Sequence, residues 1–401
     1  MKILLASSVS GLAYGGTAAY VRTLGNELVA NGNRLNAVSR LKSDLSLGLR
    51  YGSSDFGAAE PEACIRFDGW NCDLVKPRMG FRFSLSQLDH LIWRKATQSL
   101  AIGTFAVAFK QQVERVAPKD LDVVHYTGAG AELFGFVAAE LARAREIPFT
   151  VTPFVHPNQW GDGSIDIKLY NRSDRVFVCT QIEGDHLCAL GLCPNKVVVS
   201  PLAPIGPLDG CGDRFRKRFE LGERPVVLFL GRRQKYKGYH LLCEAVNELL
   251  PRHPNLMLVV AGTQDEPPFP FISKDHLLDL GQLTIDDGDS RLRADAFAAC
   301  DVYCMPSSAE AFGLVYTEAW YFGKPVVGGP AVALRELISD GHDGYIIPQD
   351  KTRLIDVLDN LLSDRMLRKR LGQQGKEKQR SLYTWDNVLK RHLTAWSALC
   401  A

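Results

Sequence analysis

The chain has 401 residues, of which 46% are hydrophobic and 23% charged: too long for one small domain, and too apolar for a collagen-like or disordered polypeptide. Its 47 basic and 45 acidic residues leave a formal charge of +2, so the overall charge gives no argument for nucleic acid or another polyanionic partner. The ten cysteines are scattered without pair-of-pairs spacing and several sit in apolar runs (Cys179, Cys300, Cys304), which predicts buried reduced thiols over a disulfide framework or a zinc site.

Short apolar runs alternate with longer helical patterns, the arrangement of α/β layers around a mainly parallel sheet. The opening MKILLASS predicts a strand over 3–6. Its apolar stretch is too short for a signal peptide, and no run approaches the roughly 18 apolar residues of a membrane span, so a cytoplasmic protein is expected. A glycine-rich loop leads to a helix over 17–31, with Tyr20, Val21, Leu24 and Leu28 on one face and Gly32 as its stop. A strand follows at 35–39, then irregular structure over 42–85 and mainly helix over 85–116. Strands at 122–125, 149–153, 175–179 and 197–200 and a helix over 131–144 complete the first half. The proline- and glycine-rich stretch 201–212 has the chemistry of a linker. A second series then begins, with strands at 225–231, 255–262, 302–305 and 325–328. Its helices fall at 239–250, 292–299, 313–323, 332–339 and 350–377. These elements predict two Rossmann-like domains, 1–205 and 206–375, facing an interdomain cleft into which the carboxyl ends of both sheets open. The segment 376–401 is expected to be helical, with large apolar residues that could pack back on either domain, the N-terminal one being the first candidate.

Four features carry chemistry. Gly15-Gly16, between the first strand and the first helix, allows backbone N–H groups to approach a ligand or simply makes a turn. The third glycine of a dinucleotide fingerprint is missing, and no acidic residue ends the next strand, which disfavours NAD. Gly128-Ala129-Gly130 raises the same question more weakly. Arg232 and Lys237 follow the buried run PVVLFLG, and an Arg fork with a Lys point charge suits two phosphates; a solvated charged loop is the plain alternative. Glu310 lies in a strand-to-helix loop and Glu318 within the helix that follows, flanking Phe312-Gly313-Leu314. The helix start offers N–H groups to an anion or sugar oxygen, and the carboxylates offer acceptors to hydroxyls at two places on one elongated ligand. His156 ends a strand of the first domain, either facing the cleft or bonding a loop carbonyl, and His125 is a weaker candidate of the same kind. There is no GxxxxGK[ST] loop, HExxH or GxSxG element, and no Asp-x-Asp at a strand end, so no metal site is expected. Asp286-Asp287-Gly288-Asp289 reads as a solvated turn.

Together these residues resemble a retaining GT-B glycosyltransferase, specifically the nucleotide-sugar-dependent glycosyltransferase family 4. The marks are Gly15-Gly16, His156, Gly231-Arg232 with Lys237-Gly238, and Ala261-Gly262. To these are added Pro306-Ser307, Glu310-x-Phe312-Gly313-Leu314, Glu318-Ala319, Gly323-x-Pro325-Val326-Val327, Glu336, and Gly341 with Gly344. The resemblance is dense over 225–350, thinner over 1–40 and 120–200, and missing over 42–115. It implies that Arg232 and Lys237 hold the donor diphosphate. Glu310 would bind sugar hydroxyls with the backbone N–H groups of Phe312, Gly313 and Leu314, and Glu318 the nucleotide ribose. Gly281 and Gln282 would meet the base, His156 the sugar's 6-position or the reacting centre, and Gly16 the donor phosphate and acceptor side. Ala311 stands where the family usually has glycine, and Trp320-Tyr321 adds bulk; neither touches the charged positions.

The implied reaction is metal-independent, front-face hexose transfer with retained anomeric configuration and no cofactor beyond the nucleotide-diphosphate sugar itself. The acceptor expected is a glycan or lipid-linked glycan in polysaccharide assembly. An epimerase or hydrolase of the same fold, or a non-catalytic sugar-nucleotide-binding module, would use the same residues. Lys76, Arg78, Arg82, Arg94 and Lys95, interleaved with Phe81, Phe83, Leu88, Leu91, Ile92 and Trp93, make either a solvated helix or a weak peripheral face for the inner side of a membrane.

Overall fold

The computed structural model describes residues 1–8, 16–40, 64–75, 96–128, 130, 133–263, 272–283 and 289–401. Gly15, Ala129, the basic-aromatic stretch 76–95 and Asp286-Asp287-Gly288 lie outside them. The chain divides into two units, Met1–Ser200 with Asp386–Ala401, and Pro201–Trp385.

The first unit runs β1 (Lys2–Ser7), α1 (Gly16–Ala30), β2 (Arg34–Arg40), β3 (Cys64–Phe67), β4 (Trp70–Val75), α2 (Gln98–Val116), β5 (Val123–Thr127), α3 (Leu133–Ala144), β6 (Phe149–Thr152), α4 (Ser164–Arg172), β7 (Arg175–Val178), α5 (Gln181–Ala189) and β8 (Val197–Val199). Its sheet order is β3-β4-β2-β1-β5-β6-β7-β8. Every pairing is parallel except the β3–β4 hairpin. Strands β5 and β6 are buried along their whole length, as expected for parallel strands covered on both faces. Val124, Tyr126 and Val151 pack there with Phe105, Phe109, Phe134 and Phe136 from α2 and α3.

The hairpin corrects the expectation of irregular structure over 42–85. Asp68-Gly69 is a two-residue turn with Gly69 at φ 79°, and Phe67 stacks on Trp70 across it with ring centroids 4.1 Å apart. Trp70 also lies against α1 at Gly25, where an added Cβ would come within 2.5 Å of the indole. The dipeptide Asp-Gly between apolar residues was the local signal for this turn. Helices α4 and α5 were likewise not anticipated.

The second unit opens with α6 (Gly212–Arg218) and continues through β9 (Val226–Leu230), α7 (Tyr239–Leu249), β10 (Met257–Ala261), β11 (Leu277–Asp279), α8 (Asp289–Ala299), β12 (Val302–Met305), α9 (Leu314–Tyr321), β13 (Val326–Gly328), α10 (Leu334–Leu337), β14 (Gly344–Ile346), α11 (Lys351–Ser363) and α12 (Arg365–Leu382). The sheet is wholly parallel, in the order β11-β10-β9-β12-β13-β14. Strands β10 and β12 are fully buried, and α7 lays Leu241, Leu242, Ala245, Val246 and Leu249 inward at helical spacing.

The last helix, α13 (Trp385–Cys400), belongs to the first unit from Asp386 onward. Trp396 donates its indole N–H to Thr150 Oγ1 at 3.0 Å, and His392 stacks on Phe177 with rings 4.0 Å apart and 8° from parallel. The other junction falls at 200/201, five residues before the boundary expected from composition. The physical reason is that Ile205 and Pro204 bond into the second unit, through Arg293, Glu318 and the indole of Trp385. All ten cysteines are free thiols, with Cys193 and Cys400 exposed and five buried. Among the described residues no helix is long and apolar enough to cross a membrane.

Candidate active site

In the second unit the chain steps from β9 outward to β10 and β11, then returns to lay β12, β13 and β14 on the other side of β9. Ligands of open parallel sheets bind at the carboxyl ends of the strands where the order reverses in this way. That reversal sets the loop after β9 beside the loop after β12. The two are joined by the Ser308 N–H donating to the Tyr236 carbonyl at 2.7 Å, and by Gln349 Nε2 bridging the carbonyls of Tyr236 and Pro306.

On these loops Lys237 Nζ lies 2.7 Å from Glu310 Oε1, with both side chains about nine-tenths buried. Sequence reasoning gave the two residues separate duties; the structure makes each the other's counter-ion. Gly238 takes a left-handed conformation, φ 72°, between the turn holding Lys237 and the start of α7. A side chain there would also strike Pro306, with a Cβ 2.5 Å from its carbonyl oxygen. Arg232 donates to the Tyr236 hydroxyl at 3.0 Å.

Gly313 caps α9 at φ 103°, a region favouring glycine. It starts the helix at Leu314, so the first-turn N–H groups face the strand end. Phe312 is buried, with its ring 5.7 Å from that of Tyr383, so its side chain is committed to packing. Glu318, one turn into α9, is 2% exposed and forms a two-point ion pair with Arg293 of α8. Burial pushes its carboxyl above the usual range, while Arg293 and the Ile205 N–H pull it back. On the far side of β10, Asp279 accepts the Gly281 N–H at 2.8 Å and pairs with Arg233. Burial raises the Asp279 carboxyl, but Arg233 and the Gly281 N–H outweigh it and hold it below its ordinary value. Gly281, at φ 65°, is therefore held by a carboxylate that the buried Arg233 pins in place, and Gln282 follows it directly.

In the first unit, Gly16 is exposed and opens α1. His156 follows β6 in a tight loop: its N–H donates to Trp160 O at 3.0 Å, its carbonyl accepts from Gln159 and Trp160, and its ring lies 3.7 Å from that of Trp160. Phe154 and Asn158 take positive φ, 50° and 63°, a backbone strain of about 1 kcal/mol or more each. The brace is Glu183 of α5, whose two oxygens accept the N–H groups of Val155 at 2.9 Å and Cys179 at 2.6 Å. Thr180 caps the same helix by accepting the Glu183 N–H. Burial lifts the Glu183 carboxyl to about 7, with the backbone N–H bonds opposing. One turn on, His186 meets Asp162, which also accepts the Asn158 N–H. His125 is corrected: it is wholly buried, wedged between Thr150 and Thr152 at 2.9 and 3.1 Å and packed on His392 and Trp396. It is a core residue.

Arg293, Arg233, Asp279, Tyr236 and Glu183 were not found from sequence. The available signal was weak: Arg293 and Asp295 are charges on a helix whose Leu292, Ala294, Ala296 and Phe297 are all buried, and their partners Glu318 and Arg214 lie 25 and 81 residues away. Among the described residues no group of three or more His, Cys, Asp or Glu side chains is arranged to hold a metal ion.

Residues 213–378 match the model of the family described as "Glycosyl transferases group 1", and residues 15–203 that of the "Glycosyl transferase 4-like domain". The chain belongs to the family 4-like glycosyltransferases of the GT-B fold. Among curated relatives, a D-inositol 3-phosphate glycosyltransferase of Corynebacterium efficiens is 33% identical over 54% of this chain and 55% of its own length. A phosphatidyl-myo-inositol mannosyltransferase of Mycobacterium leprae is 32% identical over 51% of this chain and 53% of its own. The chain thus spans about half the length of the curated relatives it matches. Sucrose-phosphate synthase of Thermosynechococcus elongatus shares the GT-B-like arrangement of two Rossmann-like domains, with TM-score 0.75 at 19% identity over 100% of this chain and 99% of that one. Anabaena HepE, solved with UDP-glucose, superposes at TM-score 0.67 and 16% identity over 99% of this chain and 100% of that one.

Proposed function

We propose that this family member is a retaining glycosyltransferase that moves a hexose from a nucleotide-diphosphate sugar to a hydroxyl of a glycan or lipid-linked glycan. The observation that carries the proposal is the buried Lys237–Glu310 pair at the strand-order reversal, beside Arg232 and the start of α9. A buried ion pair is costly to desolvate and weak as a stabiliser, so its placement at a ligand edge favours a functional account. The glycosyltransferase and mannosyltransferase activities printed for the relatives support the reaction class, and the UDP-glucose held by the Anabaena neighbour supports the donor class.

In this proposal Lys237 and Arg232 take the two phosphates, and Glu310, released from Lys237, accepts hydroxyl protons of the sugar. The N–H groups of Phe312, Gly313 and Leu314 line the same end. As the bond from the anomeric carbon to the phosphate oxygen breaks, its electron pair and negative charge pass to the diphosphate. Prearranged cations and N–H dipoles stabilise that charge without reorganising, which is where catalytic advantage is largest. The acceptor oxygen bonds to the anomeric carbon on the face the diphosphate leaves, and its proton goes to the departing phosphate. No metal takes part in this scheme. Gly281 and Gln282 meet the base, Glu318 the ribose, Gly16 the donor phosphate and acceptor side, and His156 the reacting sugar.

Thermal-shift titration with UDP-, GDP- and ADP-linked hexoses identifies the donor, and product analysis with that donor, isotopically labelled, tests the reaction. The proposal expects label on an added hydroxyl acceptor with the donor's anomeric configuration. Release of free sugar alone, or conversion to an epimeric nucleotide sugar, overturns it in favour of a hydrolase or epimerase.

A further inference from the structure

Glu318 carries more bonds than a carboxylate waiting for a ligand needs. Its Oε1 accepts from Arg293 Nη1 at 2.7 Å and from the Ile205 N–H at 3.3 Å, and its Oε2 accepts from Arg293 Nη2. Arg293 Nη1 also donates to the Ile205 carbonyl at 3.0 Å, so both backbone groups of Ile205 are tied to the pair. A carboxylate has about four lone-pair sites, two on each oxygen. Among the described residues both sites on Oε1 are filled and one on Oε2 is filled, which leaves a single acceptor position, on Oε2.

The arrangement is rigid. Arg293 is only 13% exposed at its side chain and Glu318 2%, a planar guanidinium holds a carboxylate in one plane, and Phe297, one turn on in α8, lies 5.5 Å below the guanidinium. Among the described residues, the groups facing Glu318 are Arg293 from α8, the Ile205 backbone from the segment after residue 200, and the Tyr303 hydroxyl-bearing ring from β12. Of these only Arg293 carries a charge of opposite sign.

We infer that Arg293 is a specificity-determining residue of the donor site: it is the counter-ion that orients Glu318 and restricts it to one ribose hydroxyl, accepted at Oε2. The inference rests on the assignment of Glu318 to the ribose under the proposed function. It goes further by predicting an unequal reading of the two ribose hydroxyls, set by a residue outside the Glu310–Glu318 element. With the fork in place a second hydroxyl has no acceptor on Glu318. With a lysine there, one Glu318 lone pair is freed and the second hydroxyl gains a partner.

The test is isothermal titration of the intact protein with UDP, 2′-deoxy-UDP and 3′-deoxy-UDP, repeated with the GDP and ADP series. In the wild type, one of the two deoxy forms of the preferred nucleotide is expected to bind about 10-fold or more weakly, and the other within about 3-fold of the parent. In Arg293→Lys the two losses converge. Arg293→Met strands a buried carboxylate and is read only if melting and circular dichroism show it folded; Arg293→Lys retains a positive charge there and keeps the test decisive in either case. A purely structural ion pair would lower stability in both variants without altering the deoxy preference. Equal losses for both deoxy forms in the wild type, or an unchanged preference in Arg293→Lys, overturn this inference alone. Failure of all three parent nucleotides to bind overturns it together with the donor-site assignment.

Discussion

Two buried glutamates, one in each unit, are satisfied in opposite ways. Glu310 of the second unit is neutralised by a side-chain cation, Lys237 at 2.7 Å. Glu183 of the first unit has no such cation among the described residues and instead holds two backbone N–H groups, at Val155 and Cys179. A side-chain ion pair can exchange partners when a ligand brings its own charges and hydroxyls. A carboxylate that bridges two stretches of backbone cannot do so without releasing the loop. The first arrangement suits a group that handles substrate, and the second suits one that fixes the position of its neighbour, here the loop bearing His156.

The largest effect is expected at Lys237. Lys237→Met should lower the transfer rate on the order of 10²-fold or more by removing a cation from the leaving group. It should also cost about 3–5 kcal/mol of stability because Glu310 is left buried and unpaired. The double variant Lys237→Met with Glu310→Gln separates the two losses: denaturant titration should show stability largely restored, while the transfer assay should show no recovery.

Glu183→Gln should cost about 1–3 kcal/mol, since an amide turns a donor toward one of two backbone donors, and it should also remove a contribution to stability that falls as pH rises. The folded carboxyl titrates near 7, above its unfolded value, so between about pH 4.5 and 7 the folded state holds the extra proton. Stability from this group therefore falls as pH rises through that window, by at most about 3 kcal/mol. His392 does the reverse. Burial lowers it to about 4, the unfolded state holds the extra proton between about 4 and 6.5, and stability rises with pH there. Each slope partly hides the other in the wild type. Melting curves between pH 4.5 and 7.5 should show a steeper rise with pH in Glu183→Gln than in the wild type. His392→Phe should show the opposite change and retain the stack on Phe177.

The smallest effect separates a buried pair from an exposed one within a single helix. Arg291 pairs with Asp209 at the surface, two residues before Arg293. Arg291→Ala should leave the melting temperature unchanged within error; a marked drop would remove the contrast with Arg293.

Most of the fold was legible in the sequence because parallel strands read as uninterrupted apolar runs: PVVLFLG and NLMLVVAG announce β9 and β10 almost to the residue. The charged positions at strand ends were legible for the same reason, since Lys237 and Glu310 follow buried strands directly. What was not legible depends on distance in sequence. Glu183 meets Val155 from 28 residues away and Arg293 meets Glu318 from 25, and no local pattern encodes either meeting. His125 had the local signature of a site residue at a strand end. It is a core residue because α13, more than 250 residues later, brings His392 and Trp396 onto it. The Cys64–Val75 hairpin went unrecognised although its Asp-Gly turn is a local signal.

In the proposed function Arg232 and Lys237 form a clamp for two phosphates. Calorimetric titration of nucleoside mono- and diphosphates with the same base, against the wild type and an Arg232→Ala, Lys237→Met double variant, tests it most directly. The clamp predicts that the wild type binds the diphosphate at least about 10-fold more tightly than the monophosphate and that the double variant loses this preference. Equal binding of the two nucleotides by the wild type, or a preference that survives in the double variant, would contradict it.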